Sequence, residues 1–384
     1  MKVLQIGASW FSYQFSGLER YYAELVTRLP SQGTDVVGVI YELKDVPSIE
    51  GLRLVSFGSQ NKSIVRQFLD QRRILKGCLW DNPDLVVSHC TPSLFPSLNQ
   101  LGRRPLVCHV HGPRYMERIV EGANPFSIRL SKYIEQRVYA RSDHFITLSQ
   151  YMKQVLVDAY GIQEATISVV PGGVSVEKFK QSISRREARR HLDLPSDRPI
   201  VLAVRRLERR MGLSNLIAAI AEIAQTQPEV LLLIAGKGSL RSELDKDILS
   251  RNLSSNIRMM GAVSDQLLPW VYRAADFSVV PSTDYEGFGL TLIESLASGT
   301  PVLGTPVGAI PEVLCPLSQS LLLEGTSAQC LVAGILEVLS GHRILPSMNS
   351  CEEYATKNYA WPIITQKVHR VYRNILGSCR RVAH

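Results

Sequence analysis

Short apolar runs of strand length alternate with longer runs of helical spacing along the whole chain, and this alternation constrains the fold most. The first half predicts strands at Val3–Ile6, Val36–Ile40, Leu52–Ser56, Leu85–Ser88, Leu106–Val110, His144–Leu148 and Ile167–Val170. Helices are predicted between them, at Leu18–Leu29, Ile64–Cys78, Ser127–Ala140 and Gln150–Ala159. Such alternation indicates the α/β class, with a parallel sheet covered by helices on both faces.

The second half repeats the pattern and predicts a second sheet. Its strands are predicted at Ile200–Val204, Val230–Ala235, Ile257–Met260, Phe277–Val280, Pro301–Gly304 and Ser320–Leu323. Its helices are predicted at Leu213–Gln225, Leu240–Ser250, Gln266–Ala274, Leu290–Ser298 and Ser327–Ser340. A further helix is predicted at Trp361–Leu376.

The length of 384 residues also favours two domains over one core. The charged segment Val174–Pro199 separates them, so we predict an N-terminal domain over 1–175 and a C-terminal domain over 195–360. The last helix, within 362–384, is predicted to cross back to the first domain. Open α/β sheets bind ligands beyond the carboxyl ends of their strands, and we therefore expect a ligand in the cleft between two such domains.

Composition indicates an ordinary globular protein, with 45% hydrophobic and 20% charged residues. The seven cysteines form no CxxC pair, which supports neither a disulfide framework nor a zinc site and favours a reducing cytoplasm. The N-terminus is predicted to be a strand rather than a signal peptide, and no apolar run approaches the length of a membrane span.

The formal net charge is +8, and basic residues cluster in the first half. A basic face suits anionic lipid, an acidic acceptor or nucleic acid, and a solvated face is an equally good interpretation. No nucleic-acid motif accompanies the clusters, so no nucleic-acid partner is predicted. The clustered residues are Arg66, Arg72, Arg73, Lys76, Arg103, Arg104, Arg114, Arg118, Arg129, Lys132, Arg137 and Arg141.

The stretch from Pro281 to Val302 combines a strand end, a glycine turn and a helix start. Two carboxylates lie eight positions apart in it, Glu286 in the loop and Glu294 about one turn into the helix. Because the first N–H groups of a helix favour an anion, this unit can hold a sugar, a diphosphate and a ribose side by side. Two glutamates at this spacing are also common as solvated helix charges. The neighbouring ligand contacts are predicted at Gly287, Phe288, Gly289, Leu290 and Thr291.

An arginine-rich loop, from Val204 to Leu213, also follows a predicted strand. Guanidinium groups give bidentate, permanently charged contacts to phosphate, and Arg206 and Arg210 are the predicted phosphate ligands. Further along, Gly236 ends another strand, where its backbone can approach a nucleotide base. Asp245 and Asp247 match a DxD metal motif formally, but a solvated helix face is the better interpretation.

Two loops of the first half carry candidate residues. After the first strand, Ser16 and Gly17 open a helix and suit diphosphate or acceptor contact, although an ordinary loop is an equal alternative and no GxGxxG is present. His109 and His111 alternate at the end of another strand. They either bind a metal, for which no third ligand is near in sequence, or hydrogen-bond a sugar hydroxyl; for His109 a buried structural role is favoured.

Together these residues resemble the family-4 retaining glycosyltransferases, which have the GT-B fold of two facing Rossmann-like domains, over nearly the whole chain. Three positions depart from the family pattern: Ser16 replaces a glycine, Gly172 an asparagine and Met211 a lysine. Arg210, beside Met211, is the natural replacement for that lysine. The matching motifs are Ser16-Gly-Leu-Glu-Arg20, His111-Gly112, Leu148-Ser149, Val170-Pro-Gly-Gly-Val174 with Phe179, Arg206-Leu207 with Gly212, Glu286-Gly-Phe-Gly with Glu294, Gly299-Thr-Pro-Val302 and Pro306-Val-Gly-Ala-Ile-Pro-Glu312.

The resemblance implies transfer of a sugar from a nucleotide diphosphate sugar, UDP- or GDP-linked, with retention of configuration. The leaving phosphate then helps to deprotonate the acceptor, and the protein supplies positioning and charge stabilisation. Arg206 and Arg210 would neutralise the diphosphate, so neither a metal nor another cofactor is expected. His111 and Glu286 would hold the donor sugar, and Glu294 the ribose.

The acceptor is expected to be a glycan, a lipid-linked sugar or a polysaccharide precursor, contacted by the loops Phe11–Ser16, Asn61–Gln67 and Arg114–Ile128. The basic clusters and the aromatic residues Trp10, Phe11, Tyr13 and Phe15 suit peripheral contact with an anionic membrane at its cytoplasmic face. Two alternatives remain: a binding or assembly protein on the same fold without turnover, and a nicotinamide-dependent oxidoreductase, which the absent GxGxxG disfavours.

Overall fold

A computed structural model describes residues 1–10, 17–43, 48–180 and 182–382, with side chains up to residue 378. The chain divides into two compact units. The first unit contains Met1–Gly172 and Trp361–His384, and the second unit contains Gly173–Ala360. Helix Trp361–Val382 thus belongs with the N-terminal unit, although it follows the second unit in the chain.

The described part of the first unit contains a seven-stranded parallel sheet in the order β3-β2-β1-β4-β5-β6-β7. Its central strands are short and buried on both faces, as expected for a parallel sheet covered by helices. The order reverses between β1 and β4, where ligands of open α/β sheets bind. The strands are β1 (Lys2–Ser9), β2 (Asp35–Tyr41), β3 (Leu52–Ser56), β4 (Leu85–Ser88), β5 (Leu106–Val110), β6 (His144–Thr147) and β7 (Ile167–Val169).

Helices connect these strands, and a last helix returns to pack against the first. The α-helices of the first unit are α1 (Gly17–Arg28), α2 (Ile64–Trp80), α3 (Thr91–Leu94), α4 (Arg114–Val120), α5 (Pro125–Arg141), α6 (Gln150–Tyr160) and the returning helix Trp361–Val382. Short 3-10 turns lie at Leu29–Gln32, Phe95–Gln100 and Glu164–Thr166.

The described second unit contains a five-stranded parallel sheet, in the order β10-β9-β8-β11-β12, which reverses between β8 and β11. Its strands are β8 (Ile200–Val204), β9 (Leu231–Ala235), β10 (Ile257–Gly261), β11 (Phe277–Val280) and β12 (Val302–Gly304). Its helices are α7 (Val176–Phe179), α8 (Arg185–His191), α9 (Leu213–Thr226), α10 (Arg241–Ser250), α11 (Leu268–Ala274), α12 (Leu290–Ala297), α13 (Ile310–Leu314), α14 (Ala328–Leu339) and α15 (Met348–Tyr359), and the returning helix is therefore α16. The 3-10 turns are Arg209–Met211 and Gln319–Leu321.

Two sequence predictions are wrong in this unit. The predicted strand Ser320–Leu323 is largely the 3-10 turn Gln319–Leu321, because Ser318 caps it by accepting a hydrogen bond from the Ser320 N–H, and only a single bridge joins Leu322 to Gly304. The predicted interdomain segment Val174–Pro199 folds with the second unit. Arg189 in it is buried and donates to the carbonyl of Ala274 and to Asp276.

The described helices include none with both the length and the apolar character that a bilayer span requires.

Candidate active site

The carboxyl ends of β8 and β11 bring the arginine-rich loop and the Pro281–Gly289 loop together. Gly212 has a φ of 71°, and a Cβ there would lie 1.7 Å from the carbonyl oxygen of Pro281. The Thr283 N–H also donates to the Arg210 carbonyl, at 3.1 Å. Only glycine permits this approach at position 212, so the two loops are fixed against each other at the point where the strand order reverses.

A buried ion pair between Arg205 and Glu286 lies at this junction. The Arg205 Nη2 donates to Glu286 Oε2 at 2.5 Å and to Ser282 Oγ at 2.6 Å, and the Arg205 Nη1 donates to Thr291 Oγ1 at 3.3 Å. Both members of the pair are more than nine-tenths buried. Arg205 therefore joins β8, the Glu286 loop and the first turn of α12.

The Glu286 carboxylate is held in its ionised form. Burial raises its pKa, but the charge and hydrogen bond of Arg205, the charge of Arg210 and the Ser282 hydroxyl outweigh burial, so the pKa lies below its usual value. Oε2 takes the Arg205 and Ser282 hydrogen bonds, and within the described residues none is made to Oε1. Oε1 thus retains lone pairs that can accept a hydrogen bond from a ligand hydroxyl.

Close backbone packing fixes the Glu286 loop from its other side. The Glu286 carbonyl accepts from the Ala309 N–H at 2.9 Å, and a Cβ at Gly308 would lie 2.2 Å from that carbonyl oxygen. The position of the carboxylate therefore depends on the segment after β12 as well as on its own loop.

Helix α12 begins directly after this loop, with Gly289 as its N-cap and Leu290 and Thr291 in its first turn. Its amino end lies beside the ion pair, since Arg205 contacts Thr291. Glu294 is buried in the next turn, and its Oε2 accepts from the Tyr272 hydroxyl at 3.2 Å. Phe288 is buried and packs edge-on against Tyr359.

The arginines of the loop differ in their exposure to solvent. Arg206 is exposed, whereas Arg210 is buried and donates to the Tyr285 carbonyl at 2.9 Å. Arg205 was not predicted as a site residue, because two consecutive arginines after a strand point to opposite sides and the sequence does not show which is buried. The phosphate roles of Arg206 and Arg210 stay predictions.

Gly236 lies at the end of β9, where its N–H donates to the Gly261 carbonyl at 2.7 Å. A Cβ would lie 1.8 Å from the Arg205 carbonyl oxygen, so close strand packing already accounts for this glycine. Asp245 and Asp247 pair with Arg241 and Arg251 on the exposed side of α10, in agreement with the solvated-face interpretation.

The first unit brings three histidines together at the carboxyl ends of β4 and β5. His109 is buried and contacts the hydroxyls of Tyr372, at 2.7 Å, and Tyr21, at 3.3 Å, which agrees with its predicted structural role. His111 follows β5 and is partly buried. His89, which the sequence analysis missed, follows β4 directly, and its place after a predicted strand end was the signal that could have found it.

The described residues form no group of three or more histidine, cysteine, aspartate or glutamate side chains arranged to hold a metal ion. The three imidazoles stack rather than converge, with centroids of His89 and His109 at 4.3 Å.

Three further predictions concern the first unit. Gly17 begins α1. Ser16 and the loop Phe11–Ser16, with Phe11, Tyr13 and Phe15, lie outside the described residues. The predicted loop Arg114–Ile128 is mostly helical, since it spans α4 and the start of α5.

Comparison with known proteins gives one matching family model for each half of the chain. A family model described as Glycosyltransferase Family 4 matches residues 15–178, and one described as Glycosyl transferases group 1 matches 184–358. A D-inositol 3-phosphate glycosyltransferase of Segniliparus rotundus is 29% identical over 246 residues, which are 63% of this chain and 54% of the relative. A GDP-mannose-dependent monoacylated alpha-(1-6)-phosphatidylinositol monomannoside mannosyltransferase of Corynebacterium glutamicum is 23% identical over 72% of this chain and 71% of the relative. The chain thus spans little more than half of the length of the first relative.

Solved structures show the same fold. Sucrose-phosphate synthase from Thermosynechococcus elongatus superposes with a TM-score of 0.83 at 21% identity, covering 98% of this chain and 100% of that one. Anabaena HepE, in complex with UDP and glucose, superposes with a TM-score of 0.77 at 18% identity, covering 97% and 100%.

Proposed function

Because the chain belongs to glycosyltransferase family 4 and has the GT-B fold, we propose that it transfers a sugar from a UDP- or GDP-sugar to a hydroxyl of a glycan, lipid-linked or polysaccharide-precursor acceptor. The observation that carries this proposal is the buried Arg205–Glu286 pair beside the amino end of α12, at the strand-order reversal of the second sheet. A relative named for its GDP-mannose dependence and a neighbour bound to UDP support the two donor classes.

Each part of the second-unit site has a proposed task. The Oε1 of Glu286 accepts a hydrogen bond from a hydroxyl of the donor sugar, while Arg205 holds Oε2 in place. Arg206, Arg210 and the first N–H groups of α12 stabilise the negative charge of the diphosphate. Glu294, one turn into the helix, accepts the ribose hydroxyls. In the first unit, His111 contacts the donor sugar.

We propose retention of configuration without a protein nucleophile. The bond from the anomeric carbon to the leaving phosphate breaks while a bond to the acceptor oxygen forms on the same face, and the acceptor proton passes to a phosphate oxygen. The lowered pKa of Glu286 supports this account, because a general base is most effective with a pKa near the working pH. Glu286 then stabilises the positive charge that develops on the sugar.

The donor proposal is tested with a thermal-shift panel of UDP-, GDP- and ADP-sugars, with NAD as a further arm. We expect one nucleotide sugar class to stabilise the protein, and Glu294→Gln to weaken its binding about 10- to 100-fold, because an N–H₂ donor replaces one of the two oxygens that accept from the ribose hydroxyls. Glu229→Gln, at an exposed site, is the matched control and should bind as wild type. Stabilisation by NAD alone, or equal binding by the Glu294 variant, would contradict the assignment.

Turnover distinguishes an enzyme from a binding protein of the same fold. Incubation with the donor and a lipid-linked or glycan acceptor should release nucleoside diphosphate. Donor binding without release, across an acceptor panel, would favour the binding-protein alternative.

We further propose that an exposed face of the first unit contacts anionic lipid. Helices α2 and α5 both pack against the Phe95–Gln100 turn, and both expose apolar side chains among basic ones. Ile64 is 85% exposed, Val65 70% and Phe126 76%. Apolar residues interspersed with arginine and lysine suit a surface that inserts shallowly and attracts acidic headgroups.

Removing basic charge from α2 tests this surface. The triple variant Arg66→Gln, Arg73→Gln, Lys76→Gln should lower partitioning onto phosphatidylserine vesicles about 100-fold at low salt, since each charge contributes about 1 kcal/mol. The matched control changes three exposed cations at α10 of the second unit, Arg241, Lys246 and Arg251, to glutamine. Sedimentation that is equal for the two triple variants, or absent for wild type, would exclude the proposed surface.

A further inference from the structure

A continuous hydrogen-bonded network links His111 to the interior of the first unit. The His111 Nε2 lies 3.3 Å from His89 Nδ1, and His89 Nε2 lies 2.8 Å from Gln5 Oε1. The Gln5 Nε2 donates to the Tyr372 hydroxyl at 3.2 Å, and that hydroxyl lies 2.7 Å from His109 Nε2. We call these five residues the histidine network.

The imidazoles of the network are neutral. Burial, helped by the neighbouring imidazoles, lowers the pKa of His89 and of His109 well below the usual value. Burial also lowers the pKa of His111 to about 4. A neutral imidazole has one N–H donor and one acceptor nitrogen, so each partner decides which nitrogen carries the proton.

The Gln5 amide gives the network a direction. Its carbonyl oxygen only accepts, so His89 Nε2 must carry the proton and His89 Nδ1 must accept. His111 Nε2 is then the donor to His89, which leaves His111 Nδ1 as an acceptor. Within the described residues His111 Nδ1 makes no hydrogen bond, and His111 is partly exposed.

The Tyr372 hydroxyl contacts the nitrogen end of the Gln5 amide. It accepts from the Gln5 N–H₂ group and donates its own proton to His109 Nε2, so that His109 Nδ1–H faces the Tyr21 hydroxyl at 3.3 Å. Reversing the amide would reverse the donor and acceptor roles on the path from Gln5 to His111 and on the path from Gln5 to His109. One side-chain amide thus decides the tautomers of three histidines.

We propose that Gln5 and Tyr372 are positioning residues that hold His111 as its Nε2–H tautomer, so that Nδ1 accepts a hydrogen bond from a hydroxyl of the donor sugar. The sugar contact rests on the proposed function, whereas the tautomer does not. The site would therefore select sugars that present a hydroxyl donor at this position, and a fluorine in its place would be rejected.

The tautomers are measured by long-range ¹H–¹⁵N NMR of histidine-labelled protein. In the wild type we expect Nε2–H for His111 and His89 and Nδ1–H for His109. Tyr372→Phe should give mixed tautomers, because the amide loses its orienting partner. Tyr22→Phe, which removes an equally buried hydroxyl bonded to the Gln5 backbone carbonyl, is the matched control and should keep the wild-type pattern. An Nδ1–H tautomer of His111 in the wild type would overturn the proposal.

A second variant covers the case that Tyr372→Phe folds poorly. Gln5→Met removes the acceptor of His89 Nε2–H, so the protons of His89 and His111 should move to their Nδ1 atoms. Wild-type tautomers in this variant would equally overturn the positioning role.

Kinetics test the sugar contact separately. With UDP-glucose and GDP-mannose as probes, Tyr372→Phe should raise the KM of the active donor about three- to tenfold, with little change in kcat. Inhibition by UDP or GDP should stay unchanged, because a nucleoside diphosphate carries no sugar. If Tyr372→Phe weakened donor binding and inhibition by the nucleoside diphosphate equally, Tyr372 would have a general structural role instead. If neither probe is used although the tautomers are as stated, UDP-glucose and GDP-mannose are excluded as donors and the tautomer assignment stands.

Discussion

Arg205→Met is expected to destabilise the second unit by about 3–5 kcal/mol, the usual cost of removing one member of a buried ion pair. Methionine keeps much of the volume, but Glu286 would be left buried with the Ser282 hydroxyl as its remaining side-chain donor among the described residues. The loss is measured by urea denaturation followed by circular dichroism.

The neighbouring arginine supplies a matched control. Arg206→Met makes the same chemical change at an exposed site and should alter stability by less than about 0.5 kcal/mol. The double variant Arg205→Met, Glu286→Gln should recover much of the loss, because no unpaired charge is then buried. Equal effects of the two single substitutions would contradict the assignment of Arg205 as the buried partner.

Lowering the pH should narrow the difference in the free energy of unfolding between wild type and Arg205→Met. The pKa of Glu286 is lowered in the folded protein, so the pair stabilises fully above the ordinary value of 4.5 and loses its contribution as pH falls through the lowered pKa. In the variant, protonation of the unpaired carboxyl relieves the penalty. A difference that widens on acidification would contradict this linkage.

Glu286→Gln is expected to lower kcat about 10²- to 10³-fold, the range for loss of one preorganised group that stabilises developing charge. Glutamine keeps the shape and an acceptor oxygen for Arg205, but it removes the negative charge that faces the sugar. Initial rates of nucleoside diphosphate release give kcat, measured well below the unfolding temperature because Arg205 also loses its counter-ion.

Ser282→Ala separates the effect of the Glu286 charge on kcat from the effect of a change in local packing. It removes a neutral donor to the same Glu286 oxygen and leaves the negative charge and Arg205 in place, so we expect kcat to fall by no more than about tenfold. A Glu286→Gln variant with kcat within threefold of wild type would remove Glu286 from the reaction.

Much of the fold was predictable because short apolar runs alternate with longer runs of helical spacing. Runs such as Leu52–Ser56, Leu85–Ser88 and Phe277–Val280 have the predicted bounds. The predicted strand at Ser320–Leu323 is equally apolar, yet the serine cap before it turns the chain into a 3-10 helix. Apolar periodicity does not register such a local competition between side-chain and backbone hydrogen bonds.

The candidate site was predictable where its residues lie in one local unit. Glu286 and Glu294 were selected because their loop and helix are contiguous in the sequence, and their ligand roles stay predictions. Arg205 and His89 were missed because their roles depend on which strands are neighbours, and strand order is a non-local property. Once the order is known, both residues lie at the reversal of their sheets, where a ligand site is expected.

The return of α16 to the first unit has a consequence for biosynthesis. Trp361 packs against Tyr21, and Tyr372 completes the histidine network, yet both emerge from the ribosome after the whole second unit. At the usual elongation rates the roughly 200 residues between Gly172 and Tyr372 take about 10–40 s to make. During that interval the nascent first unit lacks the tyrosine that orients Gln5. The second unit is thus, in terms of assembly, an insertion within the first, which is begun before the second unit is made and completed after it.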